Sequence, residues 1–272
     1  MVASIEGHYS FRSGADDQER YFLPKRMATA LAPLVRRPFA PYGSYTHTYY
    51  SYHMRELSTD PAIPEQSPGY MGRIEFSKRT DGPIAAYTMT RTMQGNVNFR
   101  NSAQPVSITA YNHKSRNDLL CTFADDEPYG CHYRVERHSC NPELADIYQG
   151  TDDGQLESLL AHRTEGSVLL THMSILDAVQ KLTVSATKPE QPILFDYMEY
   201  FSYLKHGHQL QYAGSIAAEF DGEPVKLSGY CQVGNGTLPV FYWVTDSGLL
   251  IYVRFGISFW VLCHTTDDRR EI

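Results

Sequence analysis

The chain has 272 residues, of which 42% are hydrophobic, and a formal net charge of −7. That length accommodates one large β domain or two small ones. The acidic balance, with nothing more basic than "VRRP" (35–38), "SKRT" (77–80) and "DDRRE" (267–271), leaves no electrostatic footprint for nucleic acid.

Residues 1–42 read as irregular and Pro-punctuated, with one short helical candidate, ATALAPLV. The first residues lack the basic and apolar regions of a secretory signal. As written the chain is expected in the cytoplasm, or in the periplasm should a leader have been removed. From Tyr45 the period changes to two. "YTHTYYSYHMREL" sets Tyr45, His47, Tyr49, Ser51, His53 and Arg55 on one face and Thr46, Thr48, Tyr50, Tyr52, Met54 and Glu56 on the other.

A Pro-rich loop leads to "YMGRIEFSKRT", which turns at Asp81–Gly82 into "IAAYTMTRTMQG". Asp-Gly between alternating runs is a strong hairpin signal. "QPVSITAY", "DLLCTFA" and "GCHYRVERH" are read as further strands. The region 141–192 changes character: "GQLESLLAHR" and "THMSILDAVQKL" both have helical spacing, the second with Thr171 or Ser174 as cap. "TKPEQP" closes the helical region. Strands resume with "ILFDYMEYF" and "HQLQYAGSIAAEF", then turn at Asp221–Gly222 into "EPVKLSGYCQV", followed by a "GNGTLP" loop.

Residues 241–263, FYWVTDSGLLIYVRFGISFWVLC, are the most apolar stretch. A membrane helix needs about 20 predominantly apolar residues, and here TDSG (245–248) and Arg254 interrupt the run. TDSG is turn chemistry between β-branched and aromatic flanks. We therefore expect a hairpin over 240–245 and 249–255 with a closing strand at 257–263, not a membrane span. Both faces are apolar, Phe241 and Trp243 on one and Tyr242 and Val244 on the other. A helix or a ligand is expected to cover them.

Together these elements predict a mainly β protein. Residues 43–272 are expected to form one domain, with a helical insertion near 155–183. Its core is one large curved antiparallel sheet, a half-barrel or open barrel of about ten or eleven strands. One or two helices pack in the concave face.

The run from "DAVQKL" through "PILFDYMEYFSYLKHGHQLQYAGSIAAEFDGEPVKLSGYCQV" to "LPVFYWVTDSGLLIYVRFG" resembles the C-terminal part of the bacterial lipoprotein-localisation-factor-like superfamily and its relatives. The resemblance covers the C-terminal third of the chain. It rests on the helix, the Tyr-Gly strand, the Asp-Gly hairpin and the aromatic-Trp-Val-Thr-Asp-x-Gly-Leu-Leu hairpin. It implies a concave apolar surface suited to a lipid chain or similar hydrophobic ligand, and it identifies no catalytic residue.

The histidines do not assemble a metal site from sequence. His47 and His53 share a face but lie about 20 Å apart along a strand. "HGH" at 206–208 offers two ligands with no third in local register and reads as a solvated loop. The five cysteines are an odd, scattered set and read as buried thiols, with a Cys131–Cys140 bridge left open for an exported protein. No nucleotide-binding or hydrolase motif occurs, and no metal or cofactor is expected.

Polar groups in apolar rows are the remaining candidates: Tyr49, His53, Tyr87, Arg91, Tyr212 and Trp243. Arg91, in the row Tyr87, Met89, Arg91, Met93, calls for a carboxylate or an anionic headgroup. The expected function is to bind or carry a hydrophobic or amphipathic small molecule in the sheet's concavity. The alternative is a cofactor-independent isomerase or hydratase on the same scaffold.

Overall fold

A computed structural model describes residues 31–53, 69–81, 84–93, 106–113, 118–124, 132–137, 144–150, 156–162, 168–185, 191–199 and 203–267. Side chains are described at 31–53, 69–80, 87, 89, 170–185, 191–197 and 205–267.

Residues 31–35 are helical (α1). They precede an antiparallel meander: β1 (Tyr45–His53), β2 (Tyr70–Asp81), β3 (Ile84–Met93), β4 (Val106–His113), β5 (Asp118–Ala124), β6 (His132–Arg137), β7 (Leu144–Gly150) and β8 (Leu156–His162). A short strand, β9 (Val168–Thr171), leads into α2 (Ser174–Val184) and then β10 (Ile193–Glu199). A second meander follows through β11 (Tyr203–Phe220), β12 (Glu223–Gly234), β13 (Thr237–Thr245), β14 (Leu250–Phe255) and β15 (Ser258–Asp267).

All strands belong to one open, curved sheet in the order β8-β7-β6-β5-β4-β3-β2-β1-β15-β14-β13-β12-β11-β10-β9. The two meanders join where β15 pairs with β1, so early and late parts of the chain meet at the middle of the sheet. One pair, β9 with β10, is parallel, which makes the sheet mixed where an antiparallel one was expected. Parallel neighbours need a crossover connection, and α2 is that crossover.

Among the described residues the sheet holds 15 strands, against the ten or eleven expected, and part of the difference lies in the region read as helical. "GQLESLLAHR" contributes β8, paired with β7. Its short apolar run also satisfies a period of two, and a run of that length does not decide between helix and strand. Strand pairing decides it. Among the described residues no helix is long and apolar enough to cross a membrane.

Local chemistry explains the turns. In the β11–β12 hairpin, Asp221 (φ 50°) and Gly222 (φ 78°) both occupy the left-handed region, as a two-residue hairpin turn of this hand requires. In the TDSG turn, Gly248 N–H donates to Thr245 O (2.8 Å) and Leu249 N–H donates to Thr245 Oγ1 (3.1 Å). The expected hairpin and closing strand in 241–263 are therefore β13, β14 and β15. Residues on both faces are buried: Tyr242, Val253 and Trp260 on one, Trp243, Tyr252 and Val261 on the other.

β1 buries alternate residues Tyr45, His47, Tyr49 and Ser51, then breaks the pattern by burying Tyr52 as well. The register against β2 shifts between Ser51 and Tyr52. Such a shift re-aims the following side chains, and Tyr52 stacks on Phe259 with ring centroids 5.4 Å apart.

Directly paired residues share a face of the sheet. Register therefore defines rows on the face that carries α2. Tyr87, Lys78, Tyr45 and Asp267 form one row; Met89, Phe76, His47 and Thr265 form the next. Further along, Ser51, Trp260, Val253, Tyr242, Tyr230 and Tyr212 form a third. Asp177 and Gln180 of α2 bond to residues of the first two rows, and Thr183 Oγ1 bonds to Tyr230 Oη of the third (3.2 Å).

Candidate functional site

Two features lie under α2: a buried polar cluster and an apolar cavity. The helix begins with a reciprocal pair, Ser174 N–H donating to Thr171 Oγ1 (3.0 Å) and Thr171 N–H donating to Ser174 Oγ (2.8 Å). The N-cap position itself is Met173, which makes no side-chain cap bond, so the two residues expected as caps, Thr171 and Ser174, bond to each other on either side of it. Along the helix, Asp177, Gln180 and Lys181 follow at the three- and four-residue spacing of one face.

The Asp177 carboxylate is buried and takes four donors. Tyr45 Oη–H (3.0 Å) and Lys78 Nζ (2.9 Å) reach Oδ1; Tyr87 Oη–H (2.8 Å) and Lys181 Nζ (2.6 Å) reach Oδ2. Lys78, from the "SKRT" stretch, is only 2% exposed. Its ammonium also donates to Pro41 O (2.6 Å) and sits 5.3 Å from the centre of the Tyr45 ring. Burial lowers its pKa to about 8, with the Asp177 charge acting in the opposite direction. Burial, reinforced by Asp177, raises the pKa of Tyr45 and Tyr87, so both hydroxyls remain donors.

Gln180 extends the cluster. Its Oε1 accepts from Leu250 N–H (3.2 Å) and from His47 Nε2 (2.9 Å); its Nε2 donates to Tyr45 Oη (2.8 Å) and Leu176 O (3.1 Å). Because a backbone N–H marks Oε1 as the amide oxygen, His47 must carry its proton on Nε2. His47 Nδ1 then accepts from Thr265 Oγ1 (2.9 Å). Burial lowers the His47 pKa to about 4, so the ring is neutral near pH 7. These bonds account for the cluster's polar atoms, and its chemistry is that of a fastener between helix and sheet.

The cavity is the feature suited to a guest. It has a volume of about 320 Å³ and lies between the N-terminal end of α2 and the third row of the sheet. Leu176, Val240, Val253, Phe255 and Trp260 supply its apolar walls; His172, Thr237, Tyr197 and Tyr242 supply polar edges. Leu238 also lines it while 69% exposed, which places that side chain at the mouth.

Behind the wall, Tyr242 Oη–H donates to Gln232 Oε1 (2.7 Å), whose amide nitrogen meets His208 Nδ1 at 3.3 Å. The His208 ring stacks on Tyr197 with centroids 5.0 Å apart. "HGH" is thus not the expected loop: both histidines lie in β11. Gly207 (φ 67°) forms a bulge there, and the register against β10 shifts between Phe195 and Tyr197. The bulge separates the histidines, leaving His208 buried and His206 on the Asp196 carboxylate at 3.1 Å. Among the described residues no group of three or more His, Cys, Asp or Glu is placed to hold a metal ion.

None of the five sequence-named candidates whose side chains are described, Tyr49, His53, Tyr87, Tyr212 and Trp243, is among the residues lining this cavity. Tyr49 is buried and donates to Leu250 O (3.1 Å), and Tyr87 belongs to the Asp177 cluster. Tyr212 packs edge-on against Tyr230 (5.7 Å), and His53 ends β1 opposite Ser258. Trp243 lies on the other face, against Gly229. Arg91 pairs in register with Ile74, and its side chain is outside the described residues. Cys231 and Cys263 carry thiols, while the Cys131–Cys140 pair falls outside the described residues.

Sequence reasoning missed Lys78, Asp177, His172 and Trp260. The visible signal was Asp177 and Gln180, two polar residues on the same helical stripe as Leu176 and Val179. Comparison of the chain with protein-family models, curated proteins and solved structures returns no match.

Proposed function

We propose that the chain binds a hydrophobic or amphipathic small molecule in the cavity beneath the N-terminal end of α2. The observation that carries this is a volume of about 320 Å³ walled mainly by Leu176, Val240, Val253, Phe255 and Trp260. Ligand pockets usually combine such apolar walls with a few polar groups and start at about 300 Å³. Carriage is favoured over catalysis, because the hydroxyls of Tyr49 and Tyr87 are committed to Leu250 O and Asp177. The sequence resemblance to half-barrel lipid carriers points the same way.

Native mass spectrometry of the purified chain tests the idea. A co-purified or added apolar compound should appear at one equivalent. A chain that binds no apolar probe, by mass or by calorimetry, would overturn it.

A further inference from the structure

We infer that the guest of this cavity is a flat aromatic compound, its ring held between Trp260 and Tyr242 over Val253. The inference rests on the binding function proposed above and adds the shape and chemical class of the guest.

The register builds a slot. Trp260 on β15 pairs with Val253 on β14, and Val253 pairs with Tyr242 on β13, so the three stand side by side on one face. All three line the cavity. Side chains stand roughly perpendicular to a sheet, and two strand spacings of about 4.8 Å separate the outer pair. The short side chain of Val253 lies between two large ones, so the space above it is flanked by a ring on either side. A ring placed between two others needs about 3.5–4.0 Å on each side, which gives this slot the width of one planar group. Leu176 lines the same space from α2.

Both flanking rings are held in place by their own neighbours. Trp260 meets Phe255 edge to face (centroids 5.3 Å apart, interplanar angle 78°) and Tyr49 at a tilt (6.3 Å). Tyr242 is fixed through its hydroxyl, which donates to Gln232 Oε1 (2.7 Å). Aromatic pairs gain attraction beyond the area they bury, and walls already fixed lose little freedom when a guest enters. At about 30 Å³ per water-sized group, the volume suits roughly ten heavy atoms. A fused two-ring compound has that size.

Isothermal titration calorimetry with 2-naphthol, decan-1-ol and 1-adamantanol tests this. The three share one hydroxyl and the same number of heavy atoms, and differ in being flat and aromatic, flexible, or cage-shaped. Burial of hydrocarbon alone would rank decan-1-ol first. The wild-type chain should instead bind 2-naphthol about tenfold more tightly than either of the others. Trp260→Leu should remove that advantage without weakening decan-1-ol, and Tyr242→Phe, which keeps the ring, should preserve it. Circular dichroism and urea midpoints establish that each variant folds. Should Trp260→Leu not fold, the wild-type ranking and Tyr242→Phe decide the matter. Equal affinity for the three, or a ranking led by decan-1-ol or 1-adamantanol, would overturn the aromatic assignment and leave the binding function standing. Equal loss of 2-naphthol and decan-1-ol in Trp260→Leu would also overturn it, as would loss of the preference in Tyr242→Phe. Binding of none of the three would remove both.

Discussion

His47 on β1 and Thr265 on β15 face each other across the strand pair that joins the two meanders, and their side chains bond at 2.9 Å. From there a hydrogen-bonded chain runs through Gln180 and Tyr45 to Asp177. One helix residue, Gln180, therefore touches β1 through His47 and β14 through Leu250. The helix that roofs the cavity is fixed over the seam of the sheet, and the cavity's shape depends on that fastening.

The neutral His47 makes stability fall in acid. Its native pKa is lowered to about 4 from an ordinary 6.5. Between those values the unfolded chain binds a proton that the native chain does not, so its contribution is complete above pH 6.5 and lost as pH falls to 4. The shift corresponds to about 3 kcal/mol. Urea unfolding at pH 7 and pH 4 should show this loss beyond that of the carboxylates, and His47→Gln should flatten the slope by a similar amount. An unchanged slope in the variant would refute the assignment.

Asp177→Asn should be severely destabilising. The amide removes the charge that compensates Lys78, whose side chain is 1% exposed, and sets an N–H against existing donors. Breaking a buried pair from one side costs about 3–5 kcal/mol. Lys181→Met, which removes the more exposed cation (26%), should cost much less. Chemical denaturation of the two variants measures the difference; equal losses would argue against a buried compensating role.

Two glycines leave space for aromatic rings. A Cβ at Gly234 would lie 2.4 Å from the His208 ring, and one at Gly229 would lie 2.7 Å from Trp243. Gly234→Ala and Gly229→Ala should each lose about 1–3 kcal/mol through overpacking. Only Gly234→Ala should also weaken ligand binding, since His208 supports the cavity residue Tyr197. Thermal melts and titrations on both variants separate the effects.

Val240→Phe should fill the cavity from a partly buried position on β13. Apolar probes should lose at least tenfold in affinity, with the thermal midpoint unchanged or raised because the added ring occupies existing space. Unaltered binding in this variant would place the ligand elsewhere.

Features that depend on neighbouring residues were legible from the chain alone. TDSG and Asp221–Gly222 form their turns through local backbone chemistry, β1 alternates as read from Tyr45 to Ser51, and THMSILDAVQKL is helical from Ser174. Where local signals balanced, as in "GQLESLLAHR", strand pairing decided the outcome. The "HGH" segment likewise depended on a bulge set by its register with β10.

The site was hidden for a stronger reason. Lys78 and Asp177 are 99 positions apart, and nothing near either residue specifies its partner. The cavity draws on β10, β13, β14, β15 and the N-terminal end of α2. Sequence by itself determined the turns, the alternation of β1 and the helix α2, because propensity, periodicity and turn chemistry act over a few residues. Only the tertiary structure decided which buried charge is compensated and where space remains, because Coulomb attraction and packing depend on distance through space.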